Sequence, residues 1–202
     1  MKKQADKLKI WEAAALCALC VSLLTGVWAE ARQQSISASL VRLHVIAASD
    51  EQAEQELKLR VRDAVLEYLE PKLRGVESAA EAQEIIGADL EGIGRAAAAV
   101  SEGRRVTVSL GEERYPTREY AAFTLPAGRY ESLRVILGEG RGHNWWCVVF
   151  PPLCLSAAEC EQAQQVMSQE DYALITGEAD YEIRFRLVEL WGELVSLLGA
   201  GQ

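Results

Sequence analysis

Hydrophobic and polar residues alternate along this chain with two different periods, and an uncharged block comes before both. Ala13 to Ala29 carries no charge over 17 residues, and Lys2, Lys3, Lys7 and Lys9 stand ahead of it. A basic head followed by an apolar run at an N-terminus is the pattern of an export segment, with the lysines held on the cytoplasmic side. The length falls between a long signal-peptide core and a short membrane span. Val27-Trp28-Ala29 and Ala29-Glu30-Ala31 offer small residues for a signal peptidase, whereas Trp28 fits the interface of an uncleaved anchor. Residues 1–31 are therefore read as an export signal or membrane anchor, and the short polar stretch 32–39 as a linker. A single α+β domain is expected over 40–202.

Within that domain the period changes from segment to segment. Val41, Leu43 and Val45 alternate with Arg42 and His44, which predicts a strand with one buried face and His44 on the polar one. Ser49 and Gln52 read as a capping box opening a helix. Leu57, Val61, Val65 and Leu69 then form its apolar stripe, and Glu54, Lys58 and Arg62 line another face. Ser78 with Glu81 opens a second helix expected to run to about Val100, weakened by Gly87, Gly92 and Gly94. "RRVTVSLG", "TREYAAFTL", "RYESLRVILG" and "NWWCVVF" read as further strands. Ser156 with Glu159 predicts a short helix. In "YEIRFRLVELWGELVSLL" the helical repeat outlasts the alternating one, which predicts a C-terminal helix. The expected fold is α+β: a mixed or antiparallel sheet of about five strands with helices packed on one face, preceded by the N-terminal apolar helix.

Composition narrows the function. The 202 residues are 50% hydrophobic and 25% charged, an ordinary globular balance, with a net charge of −9. Residues 1–30 hold four basic and three acidic side chains, so the rest of the chain is strongly acidic. A nucleic-acid partner is not expected, because phosphate binding needs clustered Lys and Arg. No dinucleotide or phosphate-loop glycine motif is present.

The cysteines and histidines offer little chemistry. Cys17 and Cys20 have Cys-x-x-Cys spacing but lie inside the apolar block, away from any base or second ligand pair. Cys147, Cys154 and Cys160 remain in the exported part, where disulfides persist. A Cys147–Cys154 bridge would close an eight-residue loop across Pro151-Pro152, worth about 2–3 kcal/mol by loop entropy, and would leave Cys160 over. As a base for Cys147, His143 lies roughly 13 Å away along an extended strand. His44 reaches Cys147 only if its strand neighbours residues 144–150. That pair defines the alternative reading, an exported cysteine-dependent enzyme. Neither a metal site nor a cofactor is expected. Trp145 and Trp146 should point to opposite faces of a strand, and an exposed tryptophan there would be a binding hot spot.

Two stretches, "RLHVIAASDEQAEQELKLRVRDAVL" and "GRGHNWWCVVFPPLC", resemble the stage II sporulation protein R family of endospore-forming bacteria. The resemblance extends over roughly residues 40–155. It departs from the family pattern at Ala48, where Asn is expected before Ser49-Asp50. It implies a signalling protein rather than an enzyme, made in the forespore and exported into the space between the forespore and mother-cell membranes. There it would activate a membrane-bound aspartic protease that removes the pro-sequence of sigma-E. On that implication the partner contact is expected at Arg141, Asn144, Trp145 and Trp146, with Lys58 and Arg62 of the first domain helix beside them.

Overall fold

A computed structural model describes residues 2–120, 123–152, 166–177 and 188–191, with side chains from Ile10 onward. The apolar block lies in a helix, α1 (Lys2–Ala38), whose part from Ile10 to Ala38 is long and apolar enough to cross a membrane. Ile10, Trp11, Leu16, Leu19, Val21, Leu23 and Leu24 stand exposed on it. The helix does not stop where the polar residues begin. Residues 32–39, expected as a linker, form its last turns up to Ala38, and Ile36 there is fully buried. Arg32 and Ser35 hold Asp171 on a later helix, at 3.4 and 2.5 Å.

After α1 come β1 (Val41–Ile46), α2 (Gln52–Leu73), α3 (Ala79–Ala88), α4 (Leu90–Ala99), β2 (Val106–Tyr115), β3 (Arg118–Glu119), β4 (Thr124–Leu125), β5 (Gly128–Leu137), β6 (Asn144–Phe150) and α5 (Gln169–Thr176). A four-stranded sheet has the order β2-β5-β1-β6. β1 lies parallel to β5, while the other pairs are antiparallel, so the sheet is mixed as expected.

The α2 stripe behaves as its spacing demands: Leu57, Val61, Val65 and Leu69 are all buried against Leu43, Val45, Leu133 and Val135 of the sheet. α3 and α4 cover the same face. The opposite face is covered too, at one end, by Ala29 and Ile36 of α1 and Leu174 and Ile175 of α5. The expectation of helices on one face is met by α2–α4, and α1 adds a second layer that follows from its unbroken continuation.

Three local readings change. α2 begins at Gln52 with Glu51 as an N-cap that lends no side-chain bond, so Ser49 and Gln52 form no capping box. Instead the Gln55 amide donates to the Ser49 carbonyl at 2.8 Å. The expected single helix over 78–100 is two, because Asp89 leaves helical geometry and its carboxylate accepts from the Gly92 N–H. The start at Ser78 is as expected, with its hydroxyl accepting from the Glu81 N–H. "TREYAAFTL" is not one strand but the two arms of the small β3–β4 hairpin. The helix expected from Ser156 lies outside the described residues, as does most of the expected C-terminal helix, of which residues 188–191 are helical.

Candidate interaction site

β6 is an edge strand, and its register fixes which way each side chain points. Trp145 pairs with Val45, Trp146 with His44 and Cys147 with Leu43. Successive residues face opposite sides of a sheet. Trp145 accordingly turns to the helical face, where the Arg62 guanidinium of α2 lies 4.5 Å from its ring centre. Trp146 turns to the other face, tilted against the His44 ring at 5.6 Å, with the Arg118 guanidinium 3.7 Å above it. Each tryptophan is half-buried and carries an arginine on its outer side.

The loop before β6 is sewn to the start of α2. The Arg141 and Gly142 N–H groups donate to the carbonyls of Ala48 and Ala47 at 3.3 and 2.9 Å, and the His143 N–H donates to Asp50 Oδ1 at 2.6 Å. Gly140 has φ +64, a left-handed conformation that favours glycine, and a Cβ on Gly142 would run into the Ser49 carbonyl. Because these bonds use the backbone of Ala47 and Ala48, the alanine at 48 leaves them intact.

Lys58 belongs to the same seam. Its ammonium donates to Gln55 Oε1 at 2.6 Å and to the His143 carbonyl at 3.0 Å. Burial lowers its pKa from the ordinary 10.5, with Asp50 opposing the shift and Arg62 adding to it. The second face of α2, Glu54–Lys58–Arg62, is therefore only partly solvated. Glu54 and Lys58 are 8% and 5% exposed, and Glu54 takes the Arg104 guanidinium at 2.5 Å. Of the expected contact residues, the structure brings Arg62, Arg141, Asn144 and Trp145 to one end of the sheet. It places Trp146 on the opposite face and uses Lys58 as an internal tie.

The Cys147–His44 pairing does not form. The two strands are neighbours, but Cys147 lies one residue beyond the partner of His44 and so faces the other side. Cys147 is also disulfide-bonded, and Cys154, its expected partner, lies outside the described residues, as does Cys160. His44 does sit on the polar face, but only 5% exposed, with Nδ1 2.9 Å from Glu113 Oε1. No cluster of metal-ligating side chains occurs among the described residues.

One constellation escaped the sequence reading. Arg42, expected on a solvated face, is fully buried in a box of tyrosines. Its guanidinium lies 3.9 Å from the Tyr115 ring centre and 5.0 Å from that of Tyr130, and it donates to the Tyr120 hydroxyl at 2.6 Å. Burial pushes the phenol pKa of Tyr115 and of Tyr130 well up. The only signal in the sequence is the tyrosine richness of 115–130, which strand alternation alone does not interpret.

The profile of the stage II sporulation protein R family matches residues 37–160, from the last turn of α1 past the end of β6. The chain belongs to this family. Stage II sporulation protein R of Bacillus subtilis (strain 168) is 35% identical over 135 residues, which are 65% of this chain and 59% of that protein. The chain thus spans under two thirds of the length of this curated relative. No solved structure matches it. The family match takes in β1, α2–α4, the sheet and the loop-to-α2 seam, so the features that build the tryptophan edge lie inside it.

Proposed function

We propose that this protein is an exported intercellular signal of endospore formation. Its domain binds the extracytoplasmic side of a membrane-bound aspartic protease in the mother-cell membrane and leads to pro-sigma-E processing. The family membership supports the sporulation role, and α1 supports passage into or across a membrane. The observation that carries the binding reading is the edge strand β6, which shows a half-buried tryptophan to each side with an arginine stacked on it. Aromatic and arginine side chains of this kind are the usual anchors of protein interfaces. A ligand activates an enzyme only by binding its active state better than its inactive one, and a rigid surface discriminates between such states well.

The test is to produce the protein together with the protease and pro-sigma-E and to follow cleavage. A Trp145→Ala, Arg62→Ala double variant that is exported and folded should lose most cleavage, about tenfold or more, the range of an interface hot spot of 1.4 kcal/mol and above. Wild-type cleavage by that variant would remove Trp145 from the contact.

A further inference from the structure

Among the described residues, only one half of the sheet face opposite α2–α4 is covered. α1 and α5 close over the end that holds Arg42, Tyr130 and Val148. Beyond them, Ser109, Arg134, His44 and Trp146 stand side by side across β2, β5, β1 and β6, with Ile136 and Ile46 in the next row. Except for His44, these six are half-exposed. Two arginines stand on this row, Arg134 on β5 and Arg118 over Trp146, beside the His44–Glu113 pair. Neither arginine meets a carboxylate among the described residues.

Unpaired polar atoms gather on this face. Of the seven buried side-chain nitrogens and oxygens without a hydrogen-bond partner among the described residues, five belong to Arg42, His44, Arg118 and Arg134. Leaving such groups unpaired is costly, and their concentration at one place signals a missing acceptor. Arg42 is sealed among its tyrosines and the Nε atoms of Arg118 and Arg134 are covered as well, so what an incoming acceptor meets is the outer Nη edge of these two half-exposed arginines.

We propose that this half-open face is a docking site for an acidic, extended segment of the protein partner. Its carboxylates would pair with Arg118 and Arg134, and its aliphatic side chains would lie on Ile46 and Ile136. Charge complementarity sets the choice: an arginine fork takes a carboxylate bidentately, and Arg32, Arg60, Arg62, Arg74, Arg95, Arg104, Arg129 and Arg141 each already meet a carboxylate of this chain, whereas among the described residues Arg118 and Arg134 do not. The backbones bearing Arg134 and Trp146 lie two strands apart, about 10 Å, the reach of some three residues of extended chain. The inference rests on the reading of the protein as a partner-binding signal, and adds a second surface to the Trp145 edge.

The experiment uses the full chain in a strain whose sporulation depends on it, comparing wild type with Arg118→Glu, Arg134→Glu and the double variant. Spore yield reads the docking surface whatever the partner is, and pro-sigma-E cleavage reads the protease assignment separately. The double variant should lower spore yield by tenfold or more at normal protein level, and Arg118→Gln, Arg134→Gln should fall between. Spore yield at the wild-type level overturns the proposal. So does a drop in thermal midpoint that accounts for the loss, because the carboxylate would then belong to this chain. So does conversion of a wild-type dimer to a monomer, because the occupant would then be a second copy. Loss of spores in the variants alongside cleavage that never depended on this protein would leave the docking face standing and remove the protease.

Discussion

Arg42 meets no carboxylate among the described residues, and tyrosine rings surround its guanidinium instead. Cation–π contacts in a desolvated site are worth roughly 2 kcal/mol each, enough to keep a charge where water is excluded. The surrounding phenols bear the consequence at high pH. Burial raises the pKa of Tyr115, Tyr120 and Tyr130 above the ordinary 10.0. The unfolded chain therefore ionises these phenols first. Their contribution is fully present below pH 10 and is lost as the pH rises beyond it. Denaturant titrations from pH 8 to 11 should show stability falling above 10. Tyr130→Phe should flatten that fall, at a cost near neutral pH of about 1 kcal/mol for its hydrogen bond to the Pro126 carbonyl. An unchanged alkaline slope in Tyr130→Phe would show that this phenol does not report the box. The alternation of β1 correctly assigned Arg42 and His44 to the face opposite Leu43. It could not show that this face is covered, because the cover comes from Tyr115, Tyr120 and Tyr130 and from α1, none of which the period of β1 describes.

Elements were legible where a period repeated and illegible where a single side chain decided. The α2 stripe and the β5 and β6 strands follow from repetition. The break between α3 and α4 depends on Asp89, whose carboxylate binds the Gly92 N–H, the Tyr68 hydroxyl and Lys72 at once, contacts that draw its pKa down. The extent of α1 is not legible from its sequence for a related reason. Polar residues after an apolar block read as linker, yet Gln33 and Ile36 are buried and the Trp191 indole donates to Glu30 at 2.7 Å. A chain cut after Ala31 loses that bond and the buried Ala29. Its thermal midpoint should drop by several degrees, at roughly 2–4 °C for each kcal/mol. A midpoint identical to that of the full chain would mean that these turns add nothing to the domain.

Seen whole, the molecule has its α1–β1 junction at one end of the strands and the 138–143 loop at the other. β1 carries the chain from Val41 to Ile46, about 17 Å, and Ile46 pairs with Asn144 beside that loop. Arg141, His143 and Asn144 are exposed there. No part of the sequence placed these two ends relative to each other, since that relation needs the strand order. If orientation matters to signalling, inserting two Ala residues after Leu24, which keeps the helix apolar and turns the domain by about 200°, should leave protein level and membrane association unchanged and lower pro-sigma-E cleavage severalfold. Equal cleavage would show that the domain works in any attitude.

A helix without a break also changes what a tether does. A flexible leash of eight residues lets its cargo sample a sphere, with r.m.s. reach of about 15 Å, and dilutes each binding surface over that volume. A stiff rod samples almost no volume. While α1 stays in a bilayer, every copy offers its surfaces in the same attitude and at the same height. The effective concentration of those surfaces at a facing membrane is then set by the gap between the two membranes: it is high when the gap matches the rod and close to zero when it does not.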